Sequence, residues 1–140
     1  MIKIKLFFTI ILFFLNSNLY AEYNFYENGK NLFDNKKFNL AKFKFEQDIV
    51  FNPKNEKSYL YLAKIYKNEK NDLQEEKNLK TVILLNPNNE SAVYDLILLK
   101  IRKSNYSETK KLISDFKKIC KNLCSESTKL QLKLDSSLKN

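Results

Sequence analysis

Cys120 and Cys124 are the residues of this chain whose type and spacing are most open to redox or metal chemistry. Three residues separate them, whereas the Cys-x-x-Cys motifs of thioredoxin-like proteins are shorter. A zinc site needs further cysteine or histidine ligands, and the chain contains no histidine. Because two cysteines in an exported protein usually pair, we expect a structural disulfide that clips a short loop. Free thiols and a redox-active pair remain the alternatives.

Other catalytic groups are missing from the sequence. Without histidine there is no Ser-His or Cys-His triad. A single glycine cannot supply a glycine-rich loop that cradles phosphate. The carboxylates stand singly along helical segments, as is typical of solvated faces. The sequence therefore predicts no enzyme activity, no metal site and no cofactor.

The first 21 residues have the three-part build of a secretory signal peptide. A basic start with Lys3 and Lys5 precedes ten residues, Leu6 to Leu15, that are apolar except for Thr9. A polar stretch then ends on the small residue Ala21. We expect cleavage after Ala21 and a periplasmic or secreted chain of residues 22–140. The alternative is an uncleaved inner-membrane anchor, although the apolar run is half of the about 20 residues that a spanning helix needs.

The chain is basic, with a formal net charge of +9. Removal of Lys3 and Lys5 with the leader would lower that charge to +7. The lysines are interleaved with glutamates and aspartates, which favours a simple bias in composition. The functional alternative is an acidic partner or an anionic membrane surface.

An internal repeat in the sequence predicts the helices that would position any site. Residues 52–56 read Asn-Pro-Lys-Asn-Glu and residues 86–90 read Asn-Pro-Asn-Asn-Glu, so that Pro53 and Pro87 stand 34 residues apart. A fixed period of this length is typical of stacked repeat proteins. The frame defines units at residues 22–55, 56–89 and 90–123.

Within each unit the apolar residues have helical spacing. Phe25, Gly29 and Leu32 predict one buried face of a first helix, and Phe38, Ala41 and Phe45 predict that of a second. In the polar turns between the two helices, we expect asparagine to adopt the left-handed backbone that ends a helix. Proline ends the second helix. Asn55 and Asn89 are then expected to cap the next one.

This pattern resembles the tetratricopeptide repeat (TPR) family over residues 22 to about 123. The resemblance rests on Gly29, Ala41 and Pro53 with their apolar neighbours in the first unit, and in the second on Tyr59, Leu62, Ala63, Tyr66, Leu79, Val82 and Pro87. It implies an all-α solenoid of about three antiparallel helix pairs, in which Gly29 and Ala63 let paired helices approach closely. The third unit is degenerate, since Ile97 replaces the small residue and the terminal proline is absent.

The end of the chain differs from the repeats. Cys120 and Cys124 stand where the third Asn-Pro phrase would fall. Residues 125–140 are expected to form a C-terminal capping helix with a polar outer face, begun by Ser125. Its leucines are Leu130, Leu132, Leu134 and Leu138.

The resemblance also implies a binding face, because the first helices of successive TPR units line a concave surface. The positions expected on this face combine aromatic, apolar and lysine side chains: Tyr23, Tyr26, Lys30, Phe33, Leu60, Lys64, Lys67, Tyr94, Leu98 and Ile101. Tyr26, Leu60 and Tyr94 occupy three positions at which the family's carboxylate clamp has Asn, Lys or Arg, so clamp binding is not expected. Alternatively, several of these side chains pack between neighbouring repeats.

We therefore expect a non-catalytic adaptor or scaffold of the cell envelope that binds another protein or peptide segment, acidic in character, through this face. The alternative is a small structural subunit that stays buried in a larger envelope complex. Nucleic acid is not an expected partner.

Overall fold

Seven helices follow one another in the computed structural model, which describes residues 24–139. They are α1 (Phe25–Asp34), α2 (Phe38–Phe51), α3 (Glu56–Asn68), α4 (Asp72–Leu85), α5 (Glu90–Arg102), α6 (Tyr106–Ile119) and α7 (Glu126–Ser137). No strand occurs among the described residues, and the expected all-α class is confirmed. The expected leader, residues 1–21, and Tyr23 lie outside the described range.

The helix bounds repeat the period of the sequence. The helices α2, α4 and α6 begin at Phe38, Asp72 and Tyr106, each 34 residues after the last. The third pair forms in full, since α5 and α6 have the same 13 and 14 residues as α3 and α4. The described helices are short, and none has an apolar run that could carry it across a membrane.

The turns inside the three pairs share one left-handed residue. It is Lys36 in the first pair (φ 60°), Lys70 in the second (φ 57°) and Ser104 in the third (φ 55°). The expectation that asparagine takes this backbone was wrong. In the second and third pairs, the residue after the left-handed one is an asparagine that caps the following helix. Asn71 and Asn105 accept the backbone N–H of Gln74 and Glu108 and thereby cap α4 and α6.

The Asn-Pro phrases work as expected between the pairs. The helices α2 and α4 end just before the phrases, at Phe51 and Leu85. Asn55 accepts the N–H of Lys57 at 3.3 Å and Asn89 accepts that of Ala92 at 3.0 Å, so both predicted caps are confirmed.

The glutamate that closes each phrase reaches the next loop along the stack. Glu56 Oε1 accepts the side-chain N–H of Asn86 at 2.8 Å. Glu90 accepts the backbone N–H groups of Asn122 and Leu123 at 3.0 and 2.8 Å. Neighbouring inter-helix loops are thereby tied to one another along one edge of the stack.

Close packing inside the first pair depends on Gly29. A methyl group added there would lie 2.8 Å from Cε1 of Phe45, which is fully buried. The equivalent residues Ala63 and Ile97 are also buried, at 1% and 0% exposed. The small-residue role that the TPR resemblance implies therefore fits the first two pairs, and the third pair packs around a larger side chain.

Two acidic side chains, those of Asp48 and Glu75, are buried. Asp48 is 2% exposed and accepts hydrogen bonds from Ser58, Asn55 and Asn52 at 2.5, 2.7 and 3.1 Å. Glu75 is 1% exposed; its Oε2 lies 2.6 Å from Arg102, and its Oε1 has no partner. Burial raises the pKa of Glu75, and the guanidinium of Arg102 opposes that rise.

An ion-pair cluster joins α4, α5 and α6. The Nζ of Lys100, a residue only 4% exposed, lies 2.7 Å from carboxylate oxygens of both Glu76 and Glu108. Glu76 also pairs with Lys80 at 2.7 Å and with Lys103 at 2.9 Å. Hydrogen bonds from Lys100 first, then from Lys80, lower the pKa of Glu76 to about 2.

The helix α7 covers the open end of the third pair. Leu130 and Leu134 are buried against α5 and α6, while Leu132 and Leu138 are exposed. The sulfurs of the two cysteines lie 2.13 Å apart, at disulfide distance. Ser125 makes no capping hydrogen bond, which contradicts its expected role. Its backbone is already helical (φ −60°, ψ −27°), whereas a capping side chain needs extended backbone.

Candidate functional site

The first helices of the pairs, α1, α3 and α5, meet through their side chains. Tyr26 and Phe33 of α1 reach Tyr61 of α3, and Lys67 of α3 pairs with Asp95 of α5 at 2.9 Å. The residues expected on one face therefore lie on neighbouring helices whose side chains are in contact.

Tyr61 is the centre of this contact, although its place in the repeat does not mark it as a site residue. Its ring stacks on that of Phe45 at 4.9 Å with an interplanar angle of 9°. The rings of Phe33 and Tyr26 meet it edge-on at 5.0 and 6.1 Å. Tyr26 and Phe33 are thus half-buried in packing between α1 and α3, and only part of each ring faces solvent. A count of aromatics on α3 would have pointed to Tyr61, but the repeat frame aligns it with the polar Glu27.

The apolar residues expected further along the face also pack between helices. Leu60 lies against the cluster formed by α3, α4 and α5, and Tyr94 lies 6.3 Å from Phe116. Leu98 is half-buried and Ile101 is 6% exposed. For these residues the geometry matches the packing alternative, with Leu60, Tyr94 and Leu98 keeping some exposed surface.

The lysines of the face differ in their partners. Lys30 pairs with Asp34 on its own helix at 2.8 Å. Lys64 lies over the ring of Tyr61 at 5.2 Å, and Lys57 lies over the ring of Tyr26 at 5.9 Å. Among residues 24–139, neither Lys57 nor Lys64 pairs with a carboxylate. We call Tyr26, Tyr61, Lys57 and Lys64 the lysine–tyrosine face.

Lys57 was also missed from the sequence. It stands seven residues before Lys64, two helical turns away on the same side of α3. Its equivalent in the first unit is Tyr23, which lies outside the described range. The signal that could have found Lys57 is this spacing, read from α3 alone instead of from the alignment of units.

The electrostatics of the face suit binding and not proton transfer. Burial raises the pKa of Tyr26, so its hydroxyl keeps its proton at neutral pH. The hydrogen bond to Asp34 raises the pKa of Lys30, which stays charged. The face itself offers the amines of Lys57 and Lys64 beside aromatic rings.

Two other features bear on chemistry. No cluster of three or more metal-ligating side chains occurs in the described part of the chain. A cleft of about 410 Å³ lies on a different face of α3, between α2 and α4, with Glu46, Tyr66 and Lys77 among its lining residues. The hydroxyl of Tyr66 donates to Glu46 at 3.3 Å across it.

Comparisons with known proteins support the fold. No family model matches the sequence, and a search of curated proteins found no match. The structure of the first TPR of Spaghetti (RPAP3) bound to HSP90 peptide SRMEEVD is 19% identical with a TM-score of 0.74, over 83% of this chain and 91% of that one. The Sgt2 TPR domain from Aspergillus fumigatus is 15% identical with a TM-score of 0.68, over 86% and 79%. The chain therefore has the TPR fold, as its repeat predicted.

Proposed function

We propose that this chain of TPR fold is a non-catalytic protein-interaction module that binds an acidic, extended segment of another protein across α1 and α3. The observation that carries the proposal is the lysine–tyrosine face: two lysines held over aromatic rings without a carboxylate partner in the described structure.

The arrangement prepares the two amines for a carboxylate. An exposed cation–π contact contributes about 0.5–1 kcal/mol, enough to bias where Lys57 and Lys64 point. Lys57 is exposed and Lys64 is half-buried, and an ion pair formed at such a surface gains only modest free energy. The ring edges of Tyr26 and Tyr61 add apolar contact. We expect modest affinity that falls as salt screens the charges.

One solved neighbour lends support. The first TPR of RPAP3 is bound to a peptide whose end, EEVD, is acidic. This chain has Tyr26, Leu60 and Tyr94 where the family's carboxylate clamp has polar or basic residues. We therefore propose that acidic side chains along the segment, and not its terminal carboxylate, are what this face recognises.

The compartment belongs to the same proposal. We propose that the leader is cleaved after Ala21 and that the module works in the cell envelope, where it joins or positions envelope proteins. The two cysteines of the chain, which we expect to pair, fit an oxidising compartment.

Peptide binding tests the proposal. Fluorescence anisotropy would compare labelled SRMEEVD with its neutral analogue SRMQQVN, each with a free and an amidated C-terminus. We expect the acidic peptide to bind at least about tenfold more tightly than the neutral one, a difference of about 1.4 kcal/mol, with little effect of amidation. Equal binding of the acidic and neutral peptides would contradict the proposal, and loss on amidation would indicate a clamp instead.

Paired variants locate the site. Lys57→Ala with Lys64→Ala should abolish the preference for the acidic peptide. The matched control is Lys110→Ala with Lys117→Ala, two exposed lysines with the same seven-residue spacing on α6. If the control loses as much affinity as the test pair, net charge and not this face is responsible.

A further inference from the structure

We propose that the outer face of α2 docks onto an anionic lipid bilayer. This face, the α2 stripe, consists of Leu40, Phe43, Val50 and Phe51. The inference does not depend on the proposed peptide site, which lies on α1 and α3.

The stripe is a contiguous apolar surface. Leu40, Phe43, Val50 and Phe51 are 57%, 55%, 74% and 57% exposed, and their spacing puts them on one side of the helix. The opposite side of α2 carries the fully buried Ala41 and Phe45. Exposed apolar residues are common one at a time, but four along one helix face form a patch of the kind that marks an interaction site.

The fold does not require this patch. The residues equivalent to Leu40, Phe43, Val50 and Phe51 are Gln74, Lys77, Leu84 and Leu85 on α4, and Glu108, Lys111, Lys118 and Ile119 on α6. The same positions are thus apolar in the first pair, mixed in the second and mostly charged in the third. All three pairs pack into the stack, so packing does not explain why these positions of α2 are apolar.

Lysines flank the stripe at both ends. Lys36 and Lys37 precede α2, Lys54 follows it, and Lys44 lies between the rings of Phe25 and Phe43, 5.4 and 5.6 Å from their centroids. Two shallow depressions, one at each end of the helix, are lined in the described structure by apolar, amide and lysine residues without a carboxylate.

The carboxylates of α2 point elsewhere. Asp48 is buried under Ser58, and Glu46 accepts the hydroxyl of Tyr66. Lys42, the remaining lysine of the helix, pairs with Glu69 at 2.8 Å on the α3 side. The exposed side therefore combines apolar side chains with lysines that pair with no carboxylate of residues 24–139.

This combination fits a lipid surface better than a protein groove or a second copy. Interfacial helices bind anionic membranes by inserting leucine and phenylalanine into the boundary between headgroups and acyl chains. Their lysines reach the headgroups. A second copy would bring two lysine rims together, which like-charge repulsion disfavours. Bilayer docking by α2 would leave Lys57 and Lys64 on α3 free for another protein.

Tryptophan fluorescence gives a local test, because the chain contains no tryptophan. Phe43→Trp reports from the stripe, and Leu132→Trp, at a 63% exposed leucine of α7, is the control in the same full-length chain. Vesicles of equal parts phosphatidylglycerol and phosphatidylcholine should shift the emission of the Phe43→Trp protein to the blue and leave the Leu132→Trp protein unchanged. Because each probe reports its own surroundings, membrane binding by the N-terminal segment alone would not move the Phe43→Trp emission.

Charge variants test the lysines. Lys44→Glu with Lys54→Glu should weaken vesicle binding of the Phe43→Trp protein about tenfold or more, while Lys110→Glu with Lys117→Glu, the same change in net charge, should have a much smaller effect. Circular dichroism checks that each variant is folded. No shift with the anionic vesicles, or an equal shift with pure phosphatidylcholine, would overturn the proposal. A shift that follows protein concentration without vesicles would assign the stripe to a second copy, which overturns it as well.

Discussion

The buried carboxylate of Asp48 accepts a hydrogen bond from the hydroxyl of Ser58, 2.5 Å away, across the junction between the first and second helix pairs. The residues at the same two positions of the next junction are Val82 and Ala92, both 0% exposed. One junction is therefore built from a polar pair and the next from an apolar pair. Either pair can be buried at this place in a junction because both residues of the pair differ together between the two junctions.

That relationship predicts strong coupling between the two positions. Ser58→Ala removes a donor from a buried carboxylate and should lower the free energy of unfolding by about 1 kcal/mol or more. Asp48→Val with Ser58→Ala recreates the Val82–Ala92 pair and should lose less than the sum of the single changes by about 1 kcal/mol. Urea unfolding measures all three variants; additive losses would show that the pair is not a unit.

Gly29→Ala should destabilise the chain although alanine is the better helix former by about 1 kcal/mol. The new methyl group would meet the ring of Phe45 at 2.8 Å, and that ring is itself stacked on Tyr61. We expect a net loss of about 1–3 kcal/mol on thermal or urea unfolding. Adding Phe45→Leu should relieve the contact, so that Gly29→Ala is less harmful in that background than in the original chain. An unchanged or raised stability would mean that α1 and α2 separate easily.

Glu76 should make the stability depend on pH in acid. Its pKa falls from 4.5 to about 2 in the folded chain through Lys100 and Lys80. A lowered carboxyl pKa stabilises the fold above pH 4.5, and that contribution is lost as the pH falls toward 2. It amounts to at most about 3 kcal/mol, at 1.36 kcal/mol for each pKa unit. Glu76→Gln should flatten the acid limb of a plot of unfolding free energy against pH. Glu27→Gln, the same substitution at an exposed glutamate of α1, is the matched control.

The cysteine pair should be oxidised in the exported protein and should contribute modestly to stability. A loop this short gains roughly 2 kcal/mol from closure, and Glu90 already holds the same loop through Asn122 and Leu123. Thiol trapping without reductant should find no free thiol. Cys120→Ser with Cys124→Ser should lower the unfolding free energy by no more than that amount. Free thiols in protein taken from the native compartment would contradict the expected disulfide.

Much of the fold could be predicted because the 34-residue period records where each helix starts and stops. Proline and the capping asparagines act through the local backbone, so Pro53, Asn55 and Asn89 could be interpreted without a structure. The left-handed residues Lys36, Lys70 and Ser104 could not, because the turn selects the position. The asparagines that follow Lys70 and Ser104 serve as caps instead.

The candidate site was harder to predict than the fold. The frame found Tyr26, Lys30 and Lys64, but it missed Tyr61 and Lys57, whose roles depend on side chains of a neighbouring helix. The contacts of Lys57 and Tyr61 with Tyr26 join residues about 30 positions apart in the chain. Spacing within α3 can place Lys57 and Lys64 on one side of the helix, but it does not record contacts with α1. The partly buried state of Phe33 and Leu60 has the same origin, because only the angle between stacked helices decides how much of each is covered.

The claim that the lysine–tyrosine face holds an acidic segment is tested most directly by site-specific photo-crosslinking in the native cells. A photoreactive residue at Asn68, one turn beyond Lys64, would be compared with one at the exposed Ser114 of α6. We expect an adduct from position 68 alone, mapping to an acidic stretch of the partner and lost with Lys57→Ala and Lys64→Ala. The same adduct from position 114, or one from position 68 that survives both substitutions, would contradict it.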